Sequence, residues 1–294
     1  MTNEYFGGLD FGSSGARISI IDKSKEIIFE DSCIYNYEFK NPEGWINSCI
    51  KLFEGIPIQI KINLSRLSIS GTSGTLVPCS PNGAPLGNSI PYYEVCTSNP
   101  EKLNLIAGED KFLNNPYSSL AKAIKLIDTY GDNIILRHQA DWISGWFLND
   151  WSFGEEGNNL KLGWNIANKS WPESFESFSL TQSIPVIKKS GSILGKINQS
   201  IANLLGTSDH LLLISGTTDA NAAFIAAEVK ENEGLTILGT TIVLKKIIKK
   251  TFNHPGITMH RVNGEWICGG SSNAGCGVLS KFFSDLEIKE LSQQ

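Results

Sequence analysis

The opening of the chain restricts its fold more than any other segment. Tyr5 to Phe11 is an apolar strand pattern, Gly12-Ser13-Ser14-Gly15 a tight turn, and Ala16 to Asp22 a second strand carrying Ile18, Ile20 and Ile21. The pattern returns at Gly234 to Leu244, where Gly239-Thr240-Thr241 stands in the place of Gly12-Ser13-Ser14. A polar stretch, Glu228 to Glu233, precedes the second copy. Two related domains, residues 1–228 and 229–294, each opening with a hairpin, account for the repeat. A coincidental pair of Gly/Ser turns is the alternative.

Between the two copies, strand and helix patterns alternate. Glu26 to Tyr35 reads as a third strand, and Asn41-Pro42-Glu43 starts a helix carrying Trp45, Ile46, Ile50 and Phe53. Leu64 to Ser70 is a strand ending in the small residues Gly71-Thr72-Ser73-Gly74-Thr75. Ser118 to Tyr130 is helical, Ile134 to Leu136 a strand, and Asp141 to Phe147 an aromatic-rich helix. Asn158 to Ser179 lacks periodicity and reads as an ordered loop. A helix at Ile197 to Leu205, a buried strand at Leu211 to Ser215 and an Ala-rich helix at Asp219 to Val229 follow. The class is α/β.

Composition narrows the function. Hydrophobic residues make up 41% and charged residues 19% of 294, which is globular rather than disordered. The net charge is −5, and the one basic run, Lys245-Lys246-Ile247-Ile248-Lys249-Lys250, reads as a solvated face; this argues against a nucleic-acid partner. No apolar run reaches the roughly 18 residues of a membrane span, and Met1 to Leu9 lacks the parts of a secretory signal. A soluble, cytoplasmic protein with no membrane partner is expected. Cys33, Cys49, Cys79, Cys96, Cys268 and Cys276 form no Cys-x-x-Cys pair and read as reduced thiols. His254 and His260 read as surface loop residues rather than zinc ligands.

Two constellations carry chemistry. A Gly-hydroxyl-hydroxyl turn presents successive backbone N–H groups and hydroxyls to phosphate oxygens. Asp10, in Gly8-Leu9-Asp10-Phe11-Gly12, is costly to bury alone; beside such a turn it serves Mg²⁺, its waters or a substrate hydroxyl, or else it is a hydrogen-bonded turn aspartate. In Ile214-Ser-Gly-Thr-Thr-Asp219, a buried strand ends on a carboxylate at a helix start. Asp219 is there either an N-cap or a base for a hydroxyl attacking a phosphoryl group. Other motifs fail: Gly191 to Lys196 is one residue short of a P-loop, and Gly71 to Gly74 is no nucleophile elbow.

Gly8-Leu-Asp-Phe-Gly-Ser-Ser-Gly-Ala-Arg17 resembles the first phosphate motif of the FGGY carbohydrate kinases, of the actin-like, ribonuclease-H-like ATPase superfamily. Ser215-Gly-Thr-Thr-Asp219 resembles the segment of their catalytic aspartate, and Leu238-Gly-Thr-Thr241 their second phosphate motif. Asn159-Leu-Lys-Leu-Gly-Trp164, Trp171-Pro172 and Gly269-Gly-Ser-Ser-Asn-Ala-Gly275 are also similar to the family. The likeness is greatest to the ribulokinase- or xylulokinase-like branch of cyanobacteria and plants. Xylulokinases proper have a sugar-contacting His where this chain has Gly74.

The resemblance implies a two-domain actin-like fold whose second domain, residues 229–294, is truncated. It implies ATP and Mg²⁺ as cofactors and a small sugar as partner, D-ribulose or D-xylulose above others, phosphorylated at a terminal hydroxyl. Asp10, Ser73 and Asp219 are the implied sugar contacts, with Asp219 as general base and Asp10 as the water-mediated Mg²⁺ site. Gly12, Ser13, Ser14, Arg17, Gly239, Thr240 and Thr241 are the implied phosphate contacts, Arg17 having the alternative of a structural ion pair. Tyr92-Tyr93-Glu94 departs from the Asn-Asp pair of relatives. Two rival readings stand beside the kinase: a non-catalytic sugar-binding remnant, and an actin-like ATPase without a sugar substrate.

Overall fold

The computed structural model describes residues 4–238, 242–252, 254, 256–262, 264–272 and 274–293. Its packing falls into two compact units, Met1–Asp219 and Ala220–Gln294.

The first unit is built on a six-stranded sheet. The strands are β1 (Tyr5–Phe11), β2 (Gly15–Ile21), β3 (Ile27–Ile34) and β4 (Leu64–Gly71), and helices α1 (Pro42–Gly55) and α2 (Ile58–Lys61) connect β3 to β4. Next come β5 (Leu76–Cys79), α3 (Pro100–Ala107), α4 (Ser119–Tyr130), β6 (Ile135–His138) and α5 (Gln139–Leu148). β7 (Phe153–Glu155), a 3₁₀ turn (Leu160–Leu162), α6 (Ser174–Ser177), β8 (Val186–Lys188), β9 (Ile193–Lys196), α7 (Gln199–Leu205) and β10 (Leu212–Thr218) complete it. The main sheet runs β3-β2-β1-β4-β10-β9, with β1, β4 and β10 parallel and the outer pairs antiparallel.

Alternation along the strands gives the sheet two faces of different character. Leu9, Phe11, Ala16, Ile18, Ile20, Leu67 and Ile69 point to one face and pack on Trp45, Leu52 and Phe53 of α1 and on Ile143 and Phe147 of α5. Burial on this scale contributes about 1.5–3 kcal/mol for each large apolar side chain. The other face of β1–β3 carries Gly8, Asp10, Arg17, Ser19 and Glu30, around an open hollow of about 580 Å³. α1 starts where the sequence places it: Asn41 accepts from the Glu43 amide at 3.0 Å, and Pro42 fills the first turn, where no N–H is needed. A second core lies under α4, where Leu120, Ala123, Ile124 and Ile127 meet Leu103, Ile106, Leu136 and Phe175.

The second unit begins within α8 (Asp219–Ala226), whose first residue is the last of the first unit. β11 (Gly234–Leu238), β12 (Ile242–Ile248), β13 (Thr258–Val262) and β14 (Glu265–Ser272) form an antiparallel sheet in the order β11-β12-β14-β13. A 3₁₀ segment (Cys276–Lys281) and α9 (Asp285–Leu291), capped by Ser284 and Glu287, follow. Both units lead with an antiparallel hairpin, β1–β2 and β11–β12. They diverge beyond it, because β3 lies beside β2 whereas β14, not β13, lies beside β12. The described core here is small: Phe224, Val262 and Ile267.

Two local expectations change, and a third holds. The first four residues of the basic run lie on β12, but Lys245 is buried while Lys246 is exposed, so the run is not a uniformly solvated face. His260 sits half-buried on β13 rather than on a loop, because β13 packs as the outer partner of β14. Gly191 to Lys196 leads into edge strand β9, a context no phosphate loop uses. Cys33, Cys49, Cys79 and Cys96 are buried free thiols. Among the described residues no helix is long and apolar enough to cross a membrane.

Candidate functional site

Register places the sequence motifs along one edge. In the parallel run β1-β4-β10, Phe11 pairs with Gly71 and Gly71 with Thr218. The next residues, Gly12, Thr72 and Asp219, therefore leave neighbouring strands side by side at their carboxyl ends. That edge is where open α/β sheets bind ligands, because the loops there diverge and leave a crevice.

The first loop is the Gly12–Gly15 corner. The Gly12 amide donates to the Gly15 carbonyl at 3.0 Å, leaving Ser13 and Ser14 exposed at the tip. A Cβ at Gly15 would come within 2.3 Å of the Cys33 carbonyl oxygen, so only glycine fits against β3. Tyr35 braces the corner from behind: its hydroxyl donates to the Gly12 carbonyl at 2.9 Å and its amide to the Ser14 carbonyl at 3.2 Å. Burial raises the Tyr35 phenol well above its ordinary range, helped by the charges of Cys33 and Asp10, so it stays a donor.

Asp10 sits one residue back from Phe11, on the outer face of the sheet. Ser70 donates to its Oδ1 at 2.7 Å from β4, and Arg17 stands directly opposite on β2. Arg17 is exposed, in the same hollow as Asp10 and Glu30. Its guanidinium thus shares that face with the carboxylates of Asp10 and Glu30, and in register it stands as close to the corner as Asp10 does.

The second loop, Thr72 to Thr75, is held by a chain of hydroxyls. Thr75 Oγ1 lies 2.7 Å from Thr72 Oγ1, which donates to Gln139 Oε1 at 2.8 Å, and the Thr72 amide donates to the same oxygen at 2.9 Å. Gly74 has φ +101°, in the region that favours glycine. Beside it lies a residue that the sequence singled out only as part of a motif: Lys161, whose Nζ donates to the Ser73 carbonyl at 3.1 Å. A Cβ at Gly74 would stand 3.3 Å from Lys161 Cδ and 3.6 Å from its Nζ. Burial lowers the Lys161 pKa, and the charge of Asp219 pushes it back up, so ammonium and carboxylate act on each other. The structure thus brings Ser73 and Lys161 together, with the charge of Asp219 felt at the ammonium. No local signal marks Lys161, because its segment is aperiodic and its partners lie 58 and 88 residues away in sequence (Asp219 and Ser73).

Buried polar groups fix that segment. Asp141 accepts from the Glu155 amide at 3.0 Å, Asn158 Nδ2 at 3.1 Å and Asn159 Nδ2 at 2.9 Å. Glu155 accepts from the Asn158 amide at 2.8 Å and Ser190 Oγ at 2.7 Å. Burial pushes Asp141 up to about 6 and Glu155 up to about 8. Behind Gly74, His138 is buried 2.9 Å from Ser119 Oγ and is pushed down to about 3 by burial and by the charges of Lys122 and Lys161. Its imidazole is neutral.

Asp219 is aimed by a backbone irregularity. The β10–β4 register shifts between Ile214 and Thr217, around Gly216, where a Cβ would come within 1.8 Å of the Ile69 carbonyl oxygen. Such a bulge re-aims the residues after it. At the first position of α8 the Asp219 carboxylate also meets the positive end of a helix. Gly239, Thr240 and Thr241, the second corner, lie outside the described residues. Among those described, no group of three His, Cys, Asp or Glu side chains is arranged to hold a metal ion.

No family model matches the chain. Solved structures do resemble it. A ligand-bound xylulose kinase from Lactobacillus acidophilus superposes with a TM-score of 0.83 at 14% identity, over 97% of this chain and 63% of that one. A xylulose kinase from Rhodospirillum rubrum gives 0.84 at 15%, over 98% and 66%. Plasmodium falciparum glycerol kinase with ADP gives 0.77 at 16%, over 96% and 65%. At these identities the likeness establishes the fold, the α/β fold of sugar kinases of the actin-like ATPase class. The chain spans about two thirds of the length of these structures, or a little less.

Proposed function

We propose that the chain is the acceptor-binding part of an FGGY-type carbohydrate kinase that phosphorylates a ketopentose, D-ribulose or D-xylulose, at a terminal hydroxyl with ATP. The observation that carries this reading is the convergence of Gly12–Ser14, Ser73 with Lys161, and Asp219 at the carboxyl ends of β1, β4 and β10. A phosphate-type corner, a polar acceptor loop and a base are the three parts that transfer of a phosphoryl group to an alcohol needs.

In this reading Asp219 accepts the proton of the sugar hydroxyl as that oxygen bonds to phosphorus. General-base help of this kind contributes about 10²- to 10⁴-fold. Ser73 and Lys161 hold the remaining sugar oxygens; Lys161, with one hydrogen engaged by the Ser73 carbonyl, has two donors left. The backbone and hydroxyls of Gly12, Ser13 and Ser14 receive phosphate oxygens, and the exposed corner fits that use. Asp10 supplies a hard carboxylate oxygen of the kind that holds Mg²⁺ through water, and Ser70 fixes its orientation. When bound, Mg²⁺ neutralises charge on the transferred group. The sugar side belongs to residues 1–228, and Gly239, Thr240 and Thr241 of residues 229–294 are the second phosphate corner.

A coupled ADP-release assay over ketopentoses, pentitols and aldonates tests the assignment. Sugar-dependent ADP release that falls at least about a hundredfold in Asp219→Ala is expected. Full activity in that variant removes Asp219 from its role, and nucleotide hydrolysis indifferent to every sugar favours an ATPase without an acceptor.

A further inference from the structure

Lys122 lies in the first turn of α4 and is fully buried. Both hydrogen bonds of its ammonium go to backbone carbonyls: Tyr117 at 2.8 Å, just ahead of the helix, and Tyr92 at 3.3 Å, from a segment 30 residues earlier. Burying an ammonium is costly unless it is well bonded. Burial and the nearby Lys161 ammonium accordingly pull the Lys122 pKa down to about 8. An apolar side chain would fill this interior position without that cost. What the lysine adds is a hold on carbonyls from two separate segments.

That hold reaches the acceptor loop through Tyr92, whose amide donates to Thr75 Oγ1 at 3.2 Å. Donor and acceptor roles beyond this point are forced. The Thr72 amide donates to Gln139 Oε1 at 2.9 Å, which fixes the way the Gln139 amide faces. An amide oxygen only accepts, so the Thr72 hydroxyl hydrogen also goes to it. The Thr75 hydroxyl hydrogen must then go to Thr72 Oγ1, leaving the lone pairs of Thr75 for the Tyr92 amide. Ser73 lies inside this path, between Thr72 and Thr75, with its own carbonyl taken by Lys161. The start of α4 backs the loop as well: a Cβ at Gly74 would stand 3.7 Å from Ser119 Oγ. Every residue of the path belongs to the first unit.

We propose that Lys122 is a positioning residue for the acceptor. Through Tyr92 it holds Thr75, and together with Lys161 on the Ser73 carbonyl it sets the shape of the loop that meets the sugar. This role rests on Ser73 being a sugar contact, as proposed above.

The test uses the full chain and a substitution at each end of the path. Lys122→Met removes the donors and keeps the apolar stem; Lys122→Gln, neutral and shorter, replaces it should that variant not fold. Thr75→Val removes the hydroxyl and keeps the shape. In each, the sugar KM rises about 5- to 20-fold, as loss of a well-placed contact implies. Both kcat and the ATP KM stay within about twofold, because Asp219 and the Gly12–Gly15 corner are untouched. The double variant separates one shared path from two unrelated defects: its sugar KM rises no further than the larger single effect, whereas independent sites multiply. Amide exchange quickens at Ser73, Gly74 and Tyr92 in both variants, while protection along α4 holds. An unchanged sugar KM in the Lys122 variant, or factors that multiply in the double variant, overturns the proposal. So does exchange that rises evenly along α4 with kcat and both KM values altered alike, the mark of a lysine that only stabilises its helix. If the wild-type chain shows no sugar-dependent turnover, the kinase reading fails by itself. In that event exchange at Ser73, Gly74 and Tyr92 in the variants still decides whether Lys122 holds the loop.

Discussion

Replacing Asp141 by alanine removes the acceptor around which the Lys161 segment is organised. Three donors point at it: the Glu155 amide at 3.0 Å, Asn158 Nδ2 at 3.1 Å and Asn159 Nδ2 at 2.9 Å. Asn159 keeps a second acceptor, the Glu155 carbonyl at 2.8 Å, so two donors are fully orphaned and one partly. A buried donor without a partner costs about 1–3 kcal/mol, and relief of the carboxylate's own desolvation offsets part of the sum. The net loss is about 3–4 kcal/mol, a large share of the 5–15 kcal/mol typical of a domain. Urea unfolding followed by tryptophan fluorescence reads the first unit, because of the seven tryptophans only Trp266 lies in the second. With a slope of about 1–3 kcal/mol/M, the midpoint falls by about 1–4 M. Asp141→Asn, which keeps one acceptor oxygen, lies in between. A midpoint within about 0.3 M of wild type in Asp141→Ala would refute the claim that this carboxylate organises the segment.

The same acids predict a pH dependence. Glu155 is raised from 4.5 to about 8, so its contribution to stability is full at low pH and is lost as pH rises through about 8. His138, lowered from 6.5 to about 3, acts in the opposite sense but only below pH 6.5, and Asp141 finishes titrating near 6. Between pH 6.5 and 8 the Glu155 slope is therefore exposed, at up to about 1.4 kcal/mol per pH unit, and Glu155→Gln flattens it in melts across that window; an unchanged slope contradicts the buried acid. Gly216→Ala drives a methyl group into the Ile69 carbonyl and lowers stability by more than about 3 kcal/mol, seen as a lost or much reduced thermal transition. Tyr35→Phe leaves the Gly12 carbonyl without its hydroxyl donor and costs about 1 kcal/mol by urea melts, with weaker phosphate-ligand binding at the corner.

Features set by local periodicity and turn chemistry were legible in the sequence. β1, β2 and the Gly12–Gly15 corner follow from alternation and a run of small residues, and α1 follows from its Asn-Pro start. The strands β5, β7, β8 and β9 did not stand out, being three or four residues long and specified by their partners rather than by pattern. The extra hairpin β13–β14 and the burial of Lys245 follow from contacts made across β12, which no local window contains. Asp10, Ser73 and Asp219 were visible because each sits at the end of a recognisable strand. Lys161 was not, since its role comes from a loop whose shape is fixed by Asp141, twenty residues earlier. Periodicity reports which face a residue takes, and says little about which distant backbone it touches.

The central claim is that a sugar is held where β1, β4 and β10 end. Titrating isotopically labelled chain with D-ribulose and D-xylulose, and mapping the amide resonances that move, tests it without relying on turnover. The account predicts shifts concentrated at Gly12 to Ser14, Thr72 to Gly74, Lys161 and Asp219. Shifts confined to other surfaces, or none at sugar concentrations that saturate known sugar kinases, would contradict it.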